Sequence, residues 1–308
     1  MIATQKPPAL SGTRPEGSRD EREAAARVRD MFTRIAPRYD FLNHLLSFSL
    51  DRVWRRRTAK RFLHILRRPD ARILDLCCGT GDLAFALART RADALAGTPG
   101  GRSSSSDISQ HPSLGAFALE VEARGFSPAK SGPPAPGASA QEISSKPCPI
   151  IGTDFVEPML VCAREKGHAG HHHVAFAAAD ALHVPFPDAT FDLITTAFGF
   201  RNLANYEAGL REFARLLKPG GELGILEFTE PSAGPMAGLL RFYFKNILPR
   251  IGGVISGSAE AYKYLPSSVS KFPSPPELAA LAERCGFRDV RSASWNFGSV
   301  ILHSGRRD

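Results

Sequence analysis

The sequence predicts an α/β protein built on a doubly wound, mostly parallel, seven-stranded sheet with a helical cap at its N-terminal end. Three observations carry that expectation. Short apolar runs recur after residue 72, segments of helical periodicity separate them, and a Gly-Thr-Gly turn stands between the first run and the first helix. The chain has 308 residues, 43% hydrophobic and 23% charged, the composition of a soluble globular protein.

Taken in order, residues 1–18 are rich in Pro, Gly, Ser and Thr and are expected to be a disordered N-terminus. Residues 19–308 read as a single domain. From about Asp20 to Arg67, apolar residues recur at helical spacing (Val28, Met31, Phe32, Ile35; Leu42, Leu45, Leu46; Val53, Trp54; Phe62, Leu63, Leu66), with breaks at Pro37 and at Ser47 to Ser49. This stretch forms the cap. Strands follow at Ile73 to Leu76, Ile150 to Thr153, Val174 to Ala178, Phe191 to Thr196 and Leu223 to Phe228, with two more near Val290 and Val300. Helices are expected from Leu83, from Pro158, from Tyr206 to Leu217 and from Pro276 to Cys285. Residues 91–148 break the alternation. Of these 58 residues, 25 are Ser, Pro or Gly, far beyond the ~2–6 residues of an ordinary strand–helix connection. They read as a low-complexity insertion without catalytic content.

Several classes are excluded early. No run of 18 apolar residues occurs, so no spanning helix is expected. The N-terminal region lacks the apolar core of a secretory signal, and its early acids argue against a transit peptide. Five cysteines, an odd number with Cys77 and Cys78 adjacent, suit free thiols and a cytoplasmic setting. The net charge of +8 is concentrated between Arg19 and Arg72, where 15 Lys/Arg face 7 Asp/Glu. Without a nucleic-acid-binding signature beside it, this charge suggests an anionic membrane surface rather than nucleic acid.

The chemistry gathers at the strand ends. Asp75 closes the first strand before Cys77, Cys78, Gly79, Thr80, Gly81 and Asp82, a turn that brings backbone N–H groups and a helix N-terminus up to a ligand. Gly79, Gly81 and Ala84 also satisfy a dinucleotide pattern, so a nicotinamide-dependent oxidoreductase stays open on this loop alone. Asp154, ending the second strand, is placed to accept both hydroxyls of a ribose.

Longer segments narrow the choice. Met31 through Asp40, Asn43, Ser47, Trp54, Asp75 to Asp82, Asp154 to Leu160, Pro185 to Asp192, Phe198 to Asn202, Arg215 to Gly221, Leu226 to Phe228, Pro231, Leu248 to Arg250 and Tyr262 to Leu265 resemble class I S-adenosylmethionine-dependent methyltransferases. Within that class they resemble the quinone C-methyltransferases of menaquinone and ubiquinone biosynthesis. The resemblance covers about residues 28–303 apart from the insertion. The glycine loop and Lys218-Pro219-Gly220-Gly221 are shared by the class, whereas the block from Tyr39 to Trp54 and the run Phe198-Gly199-Phe200-Arg201-Asn202 are particular to the quinone enzymes.

The resemblance implies S-adenosylmethionine as cofactor. Asp75, Gly79, Thr80 and Gly81 form its loop, Thr80 meeting the methionine portion, Asp154 the ribose, and Asp180 with Ala181 the adenine edge. Ala197 stands where the family often has serine, which removes one side-chain hydrogen bond. The implied acceptor is a prenylated quinol, demethylmenaquinol or the ubiquinone-pathway methoxybenzoquinol, with another lipophilic acceptor as the alternative. Arg201 is expected to stabilise the ring oxyanion, Asn202 to orient the ring, and Tyr39 to shape its pocket beside Asp40 and Asn43. A prenyl tail implies peripheral contact with the inner face of a membrane, for which Leu239 to Leu248 is the sequence candidate; a homodimer is left open. No metal is expected. His168 and His171 to His173 lack acidic or cysteine companions, His183 reads as a solvated loop residue, and Cys77 and Cys78 read as packing residues.

Overall fold

The computed structural model describes residues 12, 15, 17–97, 150–170, 174–229, 238 and 259–308. The remainder of the predicted disordered N-terminus, most of the predicted insertion, His171 to His173 and Leu239 to Leu248 lie outside the described residues.

The cap forms as its periodicity requires. Helix α1 (Glu21–Ile35) begins where Asp20 accepts a hydrogen bond from the Glu23 N–H at 2.8 Å. Its Ala24, Val28, Met31 and Ile35, three or four residues apart, make the buried stripe. Pro37 lies in the short 3-10 turn Ala36–Arg38 that separates α1 from α2 (Tyr39–Leu46). The chain reverses at Phe48 and Ser49, both left-handed, into α3 (Leu50–Arg61), and α4 (Leu63–Leu66) leads to the sheet.

Five strands run parallel: β1 (Ile73–Leu76), β2 (Ile150–Asp154), β3 (Val174–Ala178), β4 (Phe191–Ala197) and β5 (Leu217–Phe228). With β6 (Phe287–Trp295) and β7 (Val300–Arg307) they make one sheet of order β3-β2-β1-β4-β5-β7-β6, in which β7 is antiparallel to both neighbours. The central strands are buried on both faces, which is why they read as unbroken apolar runs rather than alternating ones. Helices α5 (Asp82–Ala96), α6 (Glu157–Gly170), α7 (Tyr206–Leu216), α8 (Ala259–Lys271) and α9 (Pro275–Arg284) complete the described elements. After β1 the order proceeds outward through β2 on one side and β4 on the other, so a crevice opens at the carboxyl ends of β1 and β4.

Two boundaries differ from the sequence expectation by more than a residue. Residues 91–96, expected to open the insertion, continue α5, and Arg91 is buried with its guanidinium donating to the Arg68 and Pro69 carbonyls. An arginine whose charge is taken up by backbone carbonyls cannot be told from a loop residue by composition. The helix expected to reach Leu217 stops at Leu216, and β5 starts at Leu217 rather than Leu223. Leu217 pairs with Phe191, the register slips across Lys218-Pro219-Gly220-Gly221, and Glu222 then meets Leu193.

Motif residues outside the crevice turn out to be clasps. Asp192, at the start of β4, accepts from the Arg72 N–H, Arg68 and Lys218, pinning the entries of β1, β4 and β5. Arg215 donates to Glu212, to Asp188 and to the Val184 and Phe186 carbonyls, fastening the Pro185–Asp192 loop to α7. In the core, Gly224 on β5 lies under the buried Phe62, whose ring atoms stand 2.7 Å from where a Cβ would be. Gly224→Ala is therefore expected to destabilise the fold by ~1–3 kcal/mol through overpacking. Urea denaturation checks this; an unchanged midpoint would contradict the packing described.

Candidate active site

The crevice is a cavity of about 390 Å³, lined by the β1–α5 turn, the ends of β2 and β4, the segment after β3, and the inner faces of α1, α2 and α3. Asp75 is buried at the end of β1. Thr195 Oγ1 donates to its Oδ1 at 2.8 Å, while Oδ2 has no hydrogen-bond partner. Burial pushes this carboxyl up to about 7 against the opposing pulls of Thr195 and Arg55. Gly81, at φ 83, is the left-handed residue that starts α5; a Cβ there would strike Phe176 at 2.8 Å.

Asp154 stitches β2 to the turn. Its Oδ2 accepts from the Gly79 N–H at 2.8 Å and its Oδ1 from the Val156 N–H at 2.9 Å. Burial raises this carboxyl to about 6 despite those donors. Asp180 is half exposed at the rim, where its Oδ1 accepts from the Leu182 N–H, and Ala181 is buried beside it. Ala197 ends β4 on the cavity wall. The predicted loop, ribose and adenine positions thus converge on one cavity.

Backbone strain gathers at the same place. Cys77 after β1 and Phe198 after β4 are both left-handed, at φ 52 and φ 60, and neither is glycine. The Phe198 conformation is held by neighbours: its ring stacks on Phe228 at 4.4 Å, and its carbonyl accepts from Arg201 at 2.5 Å and from Asn202 at 3.4 Å. Burial raises the Cys77 and Cys78 thiols well above their usual range, which keeps them protonated and suits packing.

Arg201, expected to stabilise the ring oxyanion, is not among the residues that line the cavity. It is buried, with Nη1 donating to Glu227 at 2.9 Å and Nε to Ser268 at 3.3 Å, and it lies over the Phe228 ring. Glu227 is itself buried and needs a cation against it. Asn202 and Tyr39 do line the cavity. The Tyr264 hydroxyl, from α8, donates to Asn202 Oδ1 at 3.1 Å. Burial raises the Tyr39 phenol, against the pulls of Asn43, Arg201 and Arg55.

Three residues in this architecture carry no signal that spacing could reveal. Lys166, from α6, reaches Asp40 at 2.8 Å and Asp82 at 2.7 Å, while Thr80 Oγ1 donates to Asp40, so the cap is clasped to the glycine turn. Arg55 lines the cavity from α3, stacked 5.7 Å over Phe198 and paired with Asp51 and Asp82. Glu227 fixes Arg201. His44 lies close enough to Asp51 and Asp82 to form a three-ligand group, but Arg55 already supplies the positive charge against both acids. His183, at the exposed rim, lies 3.9 Å from Asp180, and His168 is exposed on α6.

The site fits S-adenosylmethionine on its own chemistry. Buried carboxylates, one with an orphaned oxygen, face a left-handed glycine turn, and acceptors for hydroxyl and amine groups stand at the next two strand ends. Comparison with known proteins agrees. Residues 19–307 match the model of the ubiE/COQ5 methyltransferase family. The chain is 40% identical over 277 residues to a demethylmenaquinone methyltransferase of Thermus thermophilus, covering 90% of this chain and 100% of that protein. It is 37% identical over 286 residues to a demethylmenaquinone methyltransferase of Deinococcus radiodurans, covering 93% and 95%. It is also 37% identical over 289 residues to a ubiquinone/menaquinone biosynthesis C-methyltransferase of Geobacter sulfurreducens, covering 92% and 90%. Among solved structures, a SAM-dependent methyltransferase from Thermotoga maritima shares the fold at 17% identity and a TM-score of 0.51, over 91% of this chain and 99% of that one. The dinucleotide reading of Gly79, Gly81 and Ala84 falls away: the chain belongs to the ubiE/COQ5 methyltransferase family and is an S-adenosylmethionine-dependent methyltransferase of the class I fold.

Proposed function

We propose that the protein methylates a ring carbon of a prenylated quinol, converting demethylmenaquinol to menaquinol, with the ubiquinone-pathway methoxybenzoquinol as a second acceptor. The observation that carries this reading is the meeting of Tyr39 and Asn202, from the two segments particular to quinone enzymes, with Thr80, Asp154 and Asp180 around one cavity. The names of the Thermus, Deinococcus and Geobacter relatives support it.

When bound, S-adenosylmethionine supplies an electrophilic methyl group on a good leaving group. The protein's part is alignment and charge. In this reading Asp154 and Asp180 hold the ribose and adenine, and the Thr80–Asp40–Lys166 clasp fastens the cap to the turn. The quinol ring becomes nucleophilic as a ring hydroxyl gives its proton to water, and the resulting oxyanion needs donors. Tyr39 is one. With its pKa raised above the ordinary phenol value it stays protonated at neutral pH and can donate. Asn202 is the second, oriented by Tyr264. Arg201 acts as a positioning residue, tying the Phe198 carbonyl to Glu227 so that the Asn202 turn keeps its shape. The acceptor's tail partitions into a bilayer, so the proposal includes peripheral contact with the inner face of a membrane; no helix among the described residues is long and apolar enough to cross one.

Methylation of demethylmenaquinol by the purified chain tests the acceptor, and turnover confined to unrelated phenols would contradict it. Tyr39→Phe is expected to lower kcat about 100-fold or more, as loss of one oxyanion donor does, with the Kd for S-adenosylhomocysteine unchanged. Equal losses in both would make Tyr39 a cofactor ligand instead. Arg201→Ala and Glu227→Ala are each expected to destabilise by ~3–5 kcal/mol because each strands a buried charge. Thermal unfolding of the double variant should then show a loss well short of the two single losses combined. Additive losses would mean that the pair does not act as a unit.

A further inference from the structure

The outer face of the α2–α3 hairpin is apolar and cationic at once. Phe41, Leu45, Phe48, Leu50 and Val53 are exposed large hydrophobics, Phe41 at 60% and Phe48 at 75%. Phe41 and Leu45, four residues apart, share one face of α2, and Phe48 stands at the left-handed tip between the helices. The exposed charged side chains of α3 are all cations: Arg52, Arg56, Arg57, Lys60 and Arg61. The hairpin's acids are turned to other work, Asp40 to Thr80 and Lys166, Asp51 to His44, Ser47 and Arg55. Arg57 lies over the Trp295 ring at 6.0 Å, which brings the turn bearing the exposed Phe297 beside the same helix.

We infer that this face docks the protein on an anionic phospholipid bilayer, with Phe41, Leu45 and Phe48 entering the boundary between headgroups and acyl chains and the α3 cations meeting the phosphates. Aromatic and leucine side chains beside a row of arginines match an interface that is apolar below and negative above. Long arginine stems also let the charge stay at headgroup level while the helix lies flat. No acid is exposed on this hairpin, so its charge complements a uniformly negative surface. The placement also serves the site: α2 carries Tyr39 and α3 carries Arg55 on the cavity wall, so one hairpin has the bilayer outside and the acceptor's ring inside.

This inference rests on the prenylated-quinol reading for its purpose but is tested apart from it. The full-length protein and a Phe41→Ser/Leu45→Ser/Phe48→Ser variant are floated with phosphatidylcholine vesicles and with vesicles containing phosphatidylglycerol. Both are also assayed on a water-soluble demethylnaphthoquinol lacking the tail. Wild type is expected to bind the anionic vesicles preferentially and to lose binding as salt is raised. The variant is expected to bind them at least about tenfold more weakly, with the same melting temperature and turnover of the soluble acceptor. A variant that binds as wild type does would place docking elsewhere and overturn the inference. Failure of wild type to bind either vesicle also overturns it, as does a wild-type dimer in sedimentation velocity that the variant loses. If vesicle binding is lost as expected while neither protein methylates the naphthoquinol, the docking face stands and the acceptor falls.

Discussion

Two carboxylates kept out of water at the ends of adjacent parallel strands set the terms for the rest of this molecule. Asp75 and Asp154 are both buried, and burial raises both, to about 7 and about 6. In the folded protein each is thus harder to ionise than in the unfolded chain. A raised folded pKa contributes stability at low pH, and that contribution is lost as pH rises through the folded value. For Asp75, a rise from 3.8 to about 7 corresponds to ~4 kcal/mol lost at alkaline pH. A fold tolerates such groups where a ligand needs them, and a cationic or hydroxyl-rich ligand offsets the loss by favouring the ionised forms.

Around this pair three strands are tied together. The Asp154–Gly79 hydrogen bond locks the glycine turn to β2, and Thr195 holds Asp75 from β4, so three neighbouring strands fix the floor of the cavity. Left-handed Cys77 and Phe198 show local strain at the two strand ends that flank the switch in strand order, where surrounding packing can enforce it. The roof is different in kind. It is helical and joined to the floor by a buried apolar cluster of Met31, Ile35, Leu42, Val156 and Met159, and beside it by the Thr80–Asp40–Lys166 clasp and by Arg29 set 5.2 Å over Phe155.

Much of this was legible in the residues. Strands β1 and β3 fall at the bounds that their apolar runs suggest, and Asp154, Thr80 and Asp180 reach one cavity because strand ends are where a doubly wound sheet gathers its loops. What stayed hidden depends on contacts distant in sequence. Lys166 finds Asp40 across 126 residues and Arg68 finds Asp192 across 124, separations over which no periodicity speaks. Arg201 and Glu227 both fall in motif segments, but their pairing was not visible. Glu227 sits in an apolar run whose other members face the core, and only the fold shows that its carboxylate takes up the guanidinium. Leu217, joining β5 across an interrupted register, illustrates the same limit: a Lys-Pro-Gly-Gly turn marks a stop, yet tertiary pairing extends the strand to its far side.

Calorimetric titration with S-adenosylhomocysteine, run at several pH values in buffers of differing ionisation heat, reports protons as well as affinity. If both buried carboxyls must ionise to hold the nucleoside, binding near pH 6 will release about one to one and a half protons, affinity will fall as pH drops below about 7, and release will vanish near pH 8.5. Asp75→Asn should reduce the release while raising the melting temperature of the ligand-free protein at pH 8. Binding that is indifferent to protons across that range, with no stabilisation in the variant, would show that these carboxyls are not what grips the ligand.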